Sequence, residues 1–246
     1  MSPRRLGKRR ALGQHYLTDS SVTAKMVELA AIGQDQRVLE IGTGKGALTR
    51  SLAGLSSHFE AFELDEDNYL ATKELGLDGV VLRLGDAFAD SREFDILVSS
   101  LPYSESSSFV EWLSGHRYAR AVVLLQRDFV DKLLAQPGSE VYRAISVISQ
   151  ISSEVRPELD VARESFYPPP KVSSVVVVIR PRYVLSLGEI RLVKMLFSQR
   201  RRRLKGALKQ LELEAGQIDP DQLLKRVQDL SPSEFRDLLG KIGRVV

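Results

Sequence analysis

Hydrophobic positions along the first two thirds of the chain switch between helical and strand periods. Val22, Met26, Leu29 and Ala30 recur at helical spacing after Asp19 and Ser20, two residues suited to cap a helix, so an amphipathic helix precedes any strand. Short β-branched and aromatic runs follow: RVLEIG (37–42), HFEAFEL (58–64), VVLRLG (80–85), FDILVSS (94–100) and AVVLLQ (121–126). Between them lie helical patterns such as SFVEWL (108–113), and strands alternating with helices in this way predict a doubly wound, largely parallel sheet. VYRAISVISQIS (141–152) predicts a further helix. The Pro-rich FYPPPKV (166–172) then turns into SSVVVVIRP (173–181), a strand expected to close the sheet.

Past Arg182 the pattern is wholly helical. GEIRLVKMLFSQRRRRLKGALKQLE reads as one long helix or two, with four adjacent arginines wrapping round it. DPDQLLKRVQDL opens on a capping Asp and a Pro, and SPSEFRDLL carries a Ser-x-x-Glu capping box. The expected organisation is a Rossmann-like α/β domain over residues 1–185, with helices on both faces of its sheet, and a small all-helical domain over 186–246. Neither repeats nor low-complexity segments interrupt it.

With 246 residues and 43% hydrophobic content the chain can bury an α/β core and still hold that second domain. It has no run of 18 or more apolar residues, and its basic start lacks the apolar stretch of a signal peptide, so a cytoplasmic protein without a membrane partner is expected. Cysteine is absent, which excludes disulfides, thiolate nucleophiles and cysteine-held zinc. His15, His58 and His116 are too scattered to suggest a metal site, and no metal is expected. The net charge of +3 is uneven: residues 1–10 carry five basic and no acidic groups, residues 188–246 thirteen basic and eight acidic, and the middle seventeen basic and twenty-four acidic. Basic ends on an acidic middle suit a polyanion held from two sides; by charge alone, two solvated faces fit equally well.

The candidate chemistry begins directly after the first of the long strands, at Glu40-Ile41-Gly42-Thr43-Gly44-Lys45-Gly46. Glycines at a strand-to-helix turn let backbone approach a ligand that a Cβ would exclude. A P-loop would need glycine at Leu39 and Ser or Thr at Gly46, and the dinucleotide fingerprint would need its third glycine at Ala47. The E-x-G-x-G-x-G pattern is instead similar to that of class I S-adenosylmethionine-dependent methyltransferases. Glu63 ends the next strand, where a carboxylate can accept from both hydroxyls of a ribose, and Asp86 follows the third within reach of an adenine amine.

The fourth strand ends in Ser99-Ser100-Leu101-Pro102-Tyr103, where amino-methyltransferases acting on planar bases carry Asn/Asp-Pro-Pro-Tyr or Asn-Leu-Pro-Tyr. An adenine amine is a poor nucleophile because its lone pair is delocalised into the ring. Ser100 Oγ and the Leu101 carbonyl could hold its hydrogens and turn the lone pair toward a methyl donor, Pro102 would fix the turn, and Tyr103 would stack on the base.

With LGQHYL (12–17), LLQRDFVDKL (124–133), FYPPPKVSSVVV (166–177) and FSQRRRRLKGAL (197–208) added, the chain resembles, over nearly its whole length, the KsgA family of ribosomal RNA small-subunit adenine dimethyltransferases, as an archaeal-like member. The resemblance implies S-adenosyl-L-methionine as cofactor and immature small ribosomal subunits as partner during ribosome biogenesis, and a monomer is expected on so large a substrate. It implies cofactor contacts at Gln14, His15, Leu17, Gly42, Gly44, Glu63, Asp86 and Ser100, and catalytic roles for Ser100, Leu101, Pro102 and Tyr103, with Phe166 joining Tyr103 around the base. RNA phosphates would meet Arg4, Arg5, Lys8, Arg9 and Arg10 and, from the small C-terminal domain, Arg200, Arg201, Arg202 and Arg203.

Two departures stand out. Thr43 replaces the usual proline of the glycine loop, and Ser100 replaces asparagine in a chain whose only asparagine is Asn68. Serine is shorter and its hydroxyl donates as well as accepts, so slower turnover or accumulation of monomethyladenine is expected. A ribosome-assembly factor with weak or absent methylation is the alternative, and a methyltransferase for DNA adenine or a protein amide a third.

Overall fold

A computed structural model of the chain describes residues 15–90, 92–214 and 217–242. Its first half runs β1 (Tyr16–Leu17), α1 (Ser20–Ala30), β2 (Arg37–Ile41), α2 (Ala47–Leu52), β3 (His58–Glu63), α3 (Glu66–Lys73), β4 (Val80–Leu84), β5 (Ile96–Ser99), α4 (Ser106–Ser114) and β6 (Arg120–Gln126). There follow α5 (Arg127–Leu133), α6 (Ala144–Ser152), β7 (Ser153–Val161), β8 (Phe166–Tyr167), β9 (Ser174–Pro181), α7 (Leu187–Ser198), α8 (Leu204–Gln210), α9 (Pro220–Leu224) and α10 (Pro232–Lys241). Each run read as a strand from the sequence forms one, within two residues at either end. No helix among the described residues is long and apolar enough to cross a membrane.

Two compact units are present, one from residues up to 106 with 120–127 and 157–178, the other from 107–119, 128–156 and 179 onward. The expected boundary at 185/186 falls just before α7, but the unit holding α7 to α10 also takes α6 and most of α4 and α5.

The main sheet has the order β4-β3-β2-β5-β6-β9-β7, with β2 parallel to β3 and β5, β3 parallel to β4, and β5 parallel to β6. β9 therefore does not close the sheet, as expected of 173–181; β7 does. SEVRPELDV escapes the strand pattern because charges alternate along it and Pro157 interrupts it. An edge strand accepts both, since one row of its backbone groups has no partner strand.

In the first unit Asp19 caps α1 by accepting from the Ser21 N–H at 2.9 Å. Val22, Met26 and Ala30 of α1 and Leu48 and Leu52 of α2 share one core with Val38, Ala61, Ile96, Val98 and Val122 of the strands. Inside that unit Glu40 is fully buried, in register with Ala61 and Val98 on its two neighbours. The Thr49 hydroxyl on α2 draws that carboxyl down by less than burial raises it, and neither carboxyl oxygen completes a well-formed hydrogen bond. Burial therefore pushes the Glu40 carboxyl up to about 8, with a smaller upward push from the charge of Glu63.

In the second unit Phe197 stacks on Phe235 with ring centroids 5.6 Å apart, Tyr142 meets Phe197 edge-on, and the Tyr142 hydroxyl donates to the Leu230 carbonyl at 3.0 Å. Capping boxes open α7 (Ser186 with Glu189) and α10 (Ser231 with Glu234), the latter as expected. The long basic run forms two helices, and the arginines do not wrap round either. Arg200 to Arg202 fill the turn between α7 and α8, and Arg203 caps α8. Four adjacent guanidiniums repel one another on a helix, whereas here the backbone bonds across to 225–228: Leu204 N–H to the Lys225 carbonyl at 2.8 Å, Val227 N–H to Arg202 and Gln228 N–H to Arg200 at 3.0 Å each.

Two outcomes follow from these cores. Phe235→Ala should lower stability by about 3–5 kcal/mol in urea titrations read by circular dichroism, because a fully buried ring with a stacked partner leaves a cavity; a loss under about 1 kcal/mol would contradict this packing. For Glu40 the folded carboxyl holds its proton more tightly than the unfolded one. Its contribution is thus fully present below about pH 4.5 and lost as pH rises through about 8. Glu40→Gln should flatten that decline and stabilise the protein above pH ~8 by about 2–4 kcal/mol, read from denaturation curves across the pH range.

Candidate active site

The connections from β2 run through β3 to β4 on one side of the sheet, while β5 and β6 lie on the other. Beyond the carboxyl ends of β2 and β5 the sheet therefore opens a crevice, the usual ligand position of an open α/β sheet. Ile41 is in register with Ser99, whose buried hydroxyl donates to the Ile41 carbonyl at 2.5 Å. Gly42 and Ser100 consequently leave neighbouring strands at the same level.

Gly42 turns the chain at φ +80°, its N–H donating to the Phe62 carbonyl at 2.8 Å. Among the described residues a Cβ there would meet only Leu101 Cδ2, at 3.7 Å, so the space they leave beside this backbone is open to a ligand. Gly46 is glycine for a different reason: φ is +77° and a Cβ would sit 2.5 Å from Leu75 Cδ1. Thr72 on α3 steadies the loop, its hydroxyl 3.1 Å from both the Gly44 carbonyl and Thr43 Oγ1.

Glu63, at the end of β3, is buried. Its Oε2 accepts from the Gly44 N–H, and Oε1 from those of Leu64 and Asp65, at 2.8 Å each. Burial raises its carboxyl while the three N–H groups pull it back. Oε2, with a single donor, has a lone pair to spare. Asp86 is exposed and spends Oδ1 on the Phe88 N–H at 2.9 Å, capping the turn after β4.

His15, Ser100, Leu101, Pro102, Tyr103, Leu124 and Phe166 line one small pocket, so the sequence-predicted catalytic residues come together with His15. The Tyr103 hydroxyl is hydrogen-bonded to Ser174 Oγ at 2.5 Å, and its ring centroid is 5.9 Å from that of His15. Burial pushes the Tyr103 phenol up. His15 donates from Nδ1 to the Pro168 carbonyl at 2.6 Å. Phe166 is 3% exposed: a buried wall of the pocket, set in the core opposite Leu17 in the β1–β8 ribbon.

Sequence reasoning overlooked Tyr16, which packs on the glycine loop at Gly44, bonds the Asn68 side chain at 3.1 Å and carries Lys45 Nζ 4.8 Å from its ring centroid. It also overlooked Ser174, which it read only as part of the last strand. In the second unit Arg201, Arg202 and Arg203 are exposed and Arg200 is half-buried; the bridge of Arg203 to Arg226 adds an exposed arginine that the linear run did not reveal. Gln14, Arg4, Arg5, Lys8, Arg9 and Arg10 lie outside the described residues.

Residues 5–235 match the profile of the family described as ribosomal RNA adenine dimethylase. The ribosomal RNA small subunit methyltransferase A of Phenylobacterium zucineum is 34% identical over 221 residues, covering 84% of this chain and 78% of its own. A probable ribosomal RNA small subunit methyltransferase A of Methanothermobacter thermautotrophicus is 32% identical over 249 residues, 95% of this chain and 90% of its own. Among solved structures, a dimethyladenosine transferase from Plasmodium falciparum superposes with a TM-score of 0.77 at 25% identity, covering 93% of this chain and 99% of that one. The chain belongs to the ribosomal RNA adenine dimethylase family and is a methyltransferase.

Proposed function

We propose that the protein transfers methyl groups from S-adenosyl-L-methionine to the exocyclic amines of adenines in small-subunit ribosomal RNA, acting on immature small subunits. The observation that carries this reading is the convergence of Ser100 to Tyr103 with His15 and Phe166 in one pocket, beside the open backbone at Gly42. The RNA target is supported by the small-subunit methyltransferases to which the chain is similar.

The crevice suits the cofactor chemically. Glu63 Oε2 would accept from a ribose hydroxyl, Gly42 admits a ligand against the backbone, and Asp86 would take an adenine amine; His15, Leu17, Gly44 and Ser100 complete the set, with Gln14 expected beside them. The cofactor supplies an electrophilic methyl group. Ser100 Oγ and the Leu101 carbonyl would then accept the amine hydrogens, Pro102 fixes their turn, and the Tyr103 ring, tethered to Ser174, offers a stacking face against the buried wall of Phe166. Residues 1–185 are the methyltransferase domain. Residues 186–246 are the RNA-binding part, where Arg200 to Arg203 face phosphates, with Arg4, Arg5, Lys8, Arg9 and Arg10 expected to do so from the N-terminus. The protein acts as a cytoplasmic monomer.

Under-methylated small subunits incubated with the protein and S-adenosylmethionine should yield methylated adenine by nucleoside mass spectrometry, with monomethyladenine accumulating. Ser100→Asn should shift the product toward dimethyladenine and speed the reaction by roughly tenfold or more, given that losing one well-placed hydrogen-bonding group in a transition state typically costs about 100-fold or more. Small subunits bound tightly but left unmethylated would instead assign an assembly factor. Glu63→Gln should weaken cofactor binding by about 10- to 100-fold in calorimetry, since a hydrogen bond to a charged acceptor is worth about 1.5–3 kcal/mol; unchanged affinity would remove Glu63 from the site.

A further inference from the structure

The second unit contains an open groove of about 580 Å³, lined by Arg117 and Tyr118 on one wall and Pro181, Arg182, Tyr183 and Val184 on the other. It shares no residue with the pocket around Tyr103 and lies within the volume range of small-molecule sites, about 300–1,000 Å³. Both walls are held by backbone bonds. Arg182 and Tyr183 donate to the Ser152 carbonyl at 2.8 and 3.1 Å, Leu185 donates to Ser114 at 2.9 Å, and the turn before Arg117 is closed by Gly115 to Trp112 at 3.1 Å.

Its chemistry is cationic and aromatic. Arg117 is exposed, and its guanidinium makes no ion pair among the described residues. Arg182 meets Glu154 at 3.2 Å, but that carboxylate is shared with Arg156, so the walls keep a net positive charge. Tyr183 is 44% exposed and its hydroxyl donates to Glu189 at 3.3 Å, which orients the ring without covering it. Burial pushes the Tyr118 phenol up, so that hydroxyl stays protonated and neutral. Guanidiniums that fork a phosphate beside a tyrosine face are the combination that holds an unstacked nucleotide of single-stranded RNA.

We propose that this groove is a second RNA subsite, taking one unpaired nucleotide with its base on Tyr183 and its phosphate on Arg117 and Arg182. The inference rests on the RNA-methylating reading above. It makes the second unit a reader of single-stranded RNA and not only a phosphate-binding face. Substrate capture would then depend on residues that never touch the reacting adenine.

The test uses the full-length protein and under-methylated small subunits. Arg117→Ala combined with Tyr183→Ala should raise the KM for subunits about tenfold, leaving kcat, cofactor affinity and thermal midpoint unchanged. The slope of log affinity against log salt should fall by about 0.7 for the lost phosphate contact, and Arg117→Lys should restore it. Unaltered subunit affinity and salt slope in the double variant, with methylation intact, would overturn the subsite and leave the proposed function standing. A lowered thermal midpoint together with lowered kcat would show a structural role and overturn it as well. Absence of methylation by the unaltered protein would instead defeat the proposed function, and the subsite with it.

Discussion

Everything at the site depends on the register between β2 and β5. Because Ile41 lies beside Ser99, and the Ser99 hydroxyl ties the two strands at 2.5 Å, the glycine loop and the Ser-Leu-Pro-Tyr turn emerge next to each other. A slip of one residue would turn Ile41 and Ser99, now on one face, to opposite faces and separate Gly42 from Ser100, since the side-chain period of a strand is two. The register is fixed by burial. Val38, Ile96 and Val98 all sit in one core with α1 and α2, so the apolar faces of both strands can align in only one way. The hydroxyl of Ser99 adds direction to an alignment the hydrophobic core already imposes.

The same unit closes its site with a contact far apart in sequence. Tyr16 and Leu17 pair antiparallel with Tyr167 and Phe166, and Thr18 and Asp19 both donate to the Ser165 carbonyl, at 2.9 and 3.3 Å. Asp19 returns the favour by accepting from Ser165 Oγ at 2.9 Å while it caps α1. One carboxylate thus links the start of the first helix to the segment that carries Phe166. His15 is placed over the pocket by this ribbon and by its bond to Pro168, so its position depends on pairing across about 150 residues and not on its own local structure.

That dependence explains how much could be read from the sequence. The parallel strands carry their own signal: uninterrupted β-prone runs bounded by glycines or polar turns, as in RVLEIG and AVVLLQ. Glu63 and Asp86 could be placed because a strand end followed by a turn residue is a local pattern. Ser231 with Glu234 is equally local. What could not be read depends on tertiary partners. β7 is charged and contains Pro157, and only its place at the sheet edge makes it a strand. Arg200 to Arg203 look helical in isolation, and it is the segment 225–228 that draws them into a turn. The Ser-Leu-Pro-Tyr turn that carries Tyr103 was legible as a local motif, whereas the tether of Tyr103 to Ser174 spans 71 positions and leaves no mark on either segment.

The two buried carboxyls beside the glycine loop show how the fold allots charge. Glu63 is given three backbone N–H groups and Glu40 none, although both end up out of water on neighbouring strands. The three N–H groups pull the Glu63 carboxyl back against its burial, whereas Glu40, without them, is pushed up to about 8. The pocket at Ser100 is treated differently again. Its hydroxyl and the Leu101 carbonyl are neutral acceptors, and the Tyr103 phenol keeps its proton because burial raises it. An amine placed there meets no strong base among Ser100, Leu101 and Tyr103. His15 also lines this pocket, with its Nδ1 spent on the Pro168 carbonyl; on the proposed reading an amine there would owe its reactivity to how its hydrogens are held, and the residue at position 100 would act through its length and donor character.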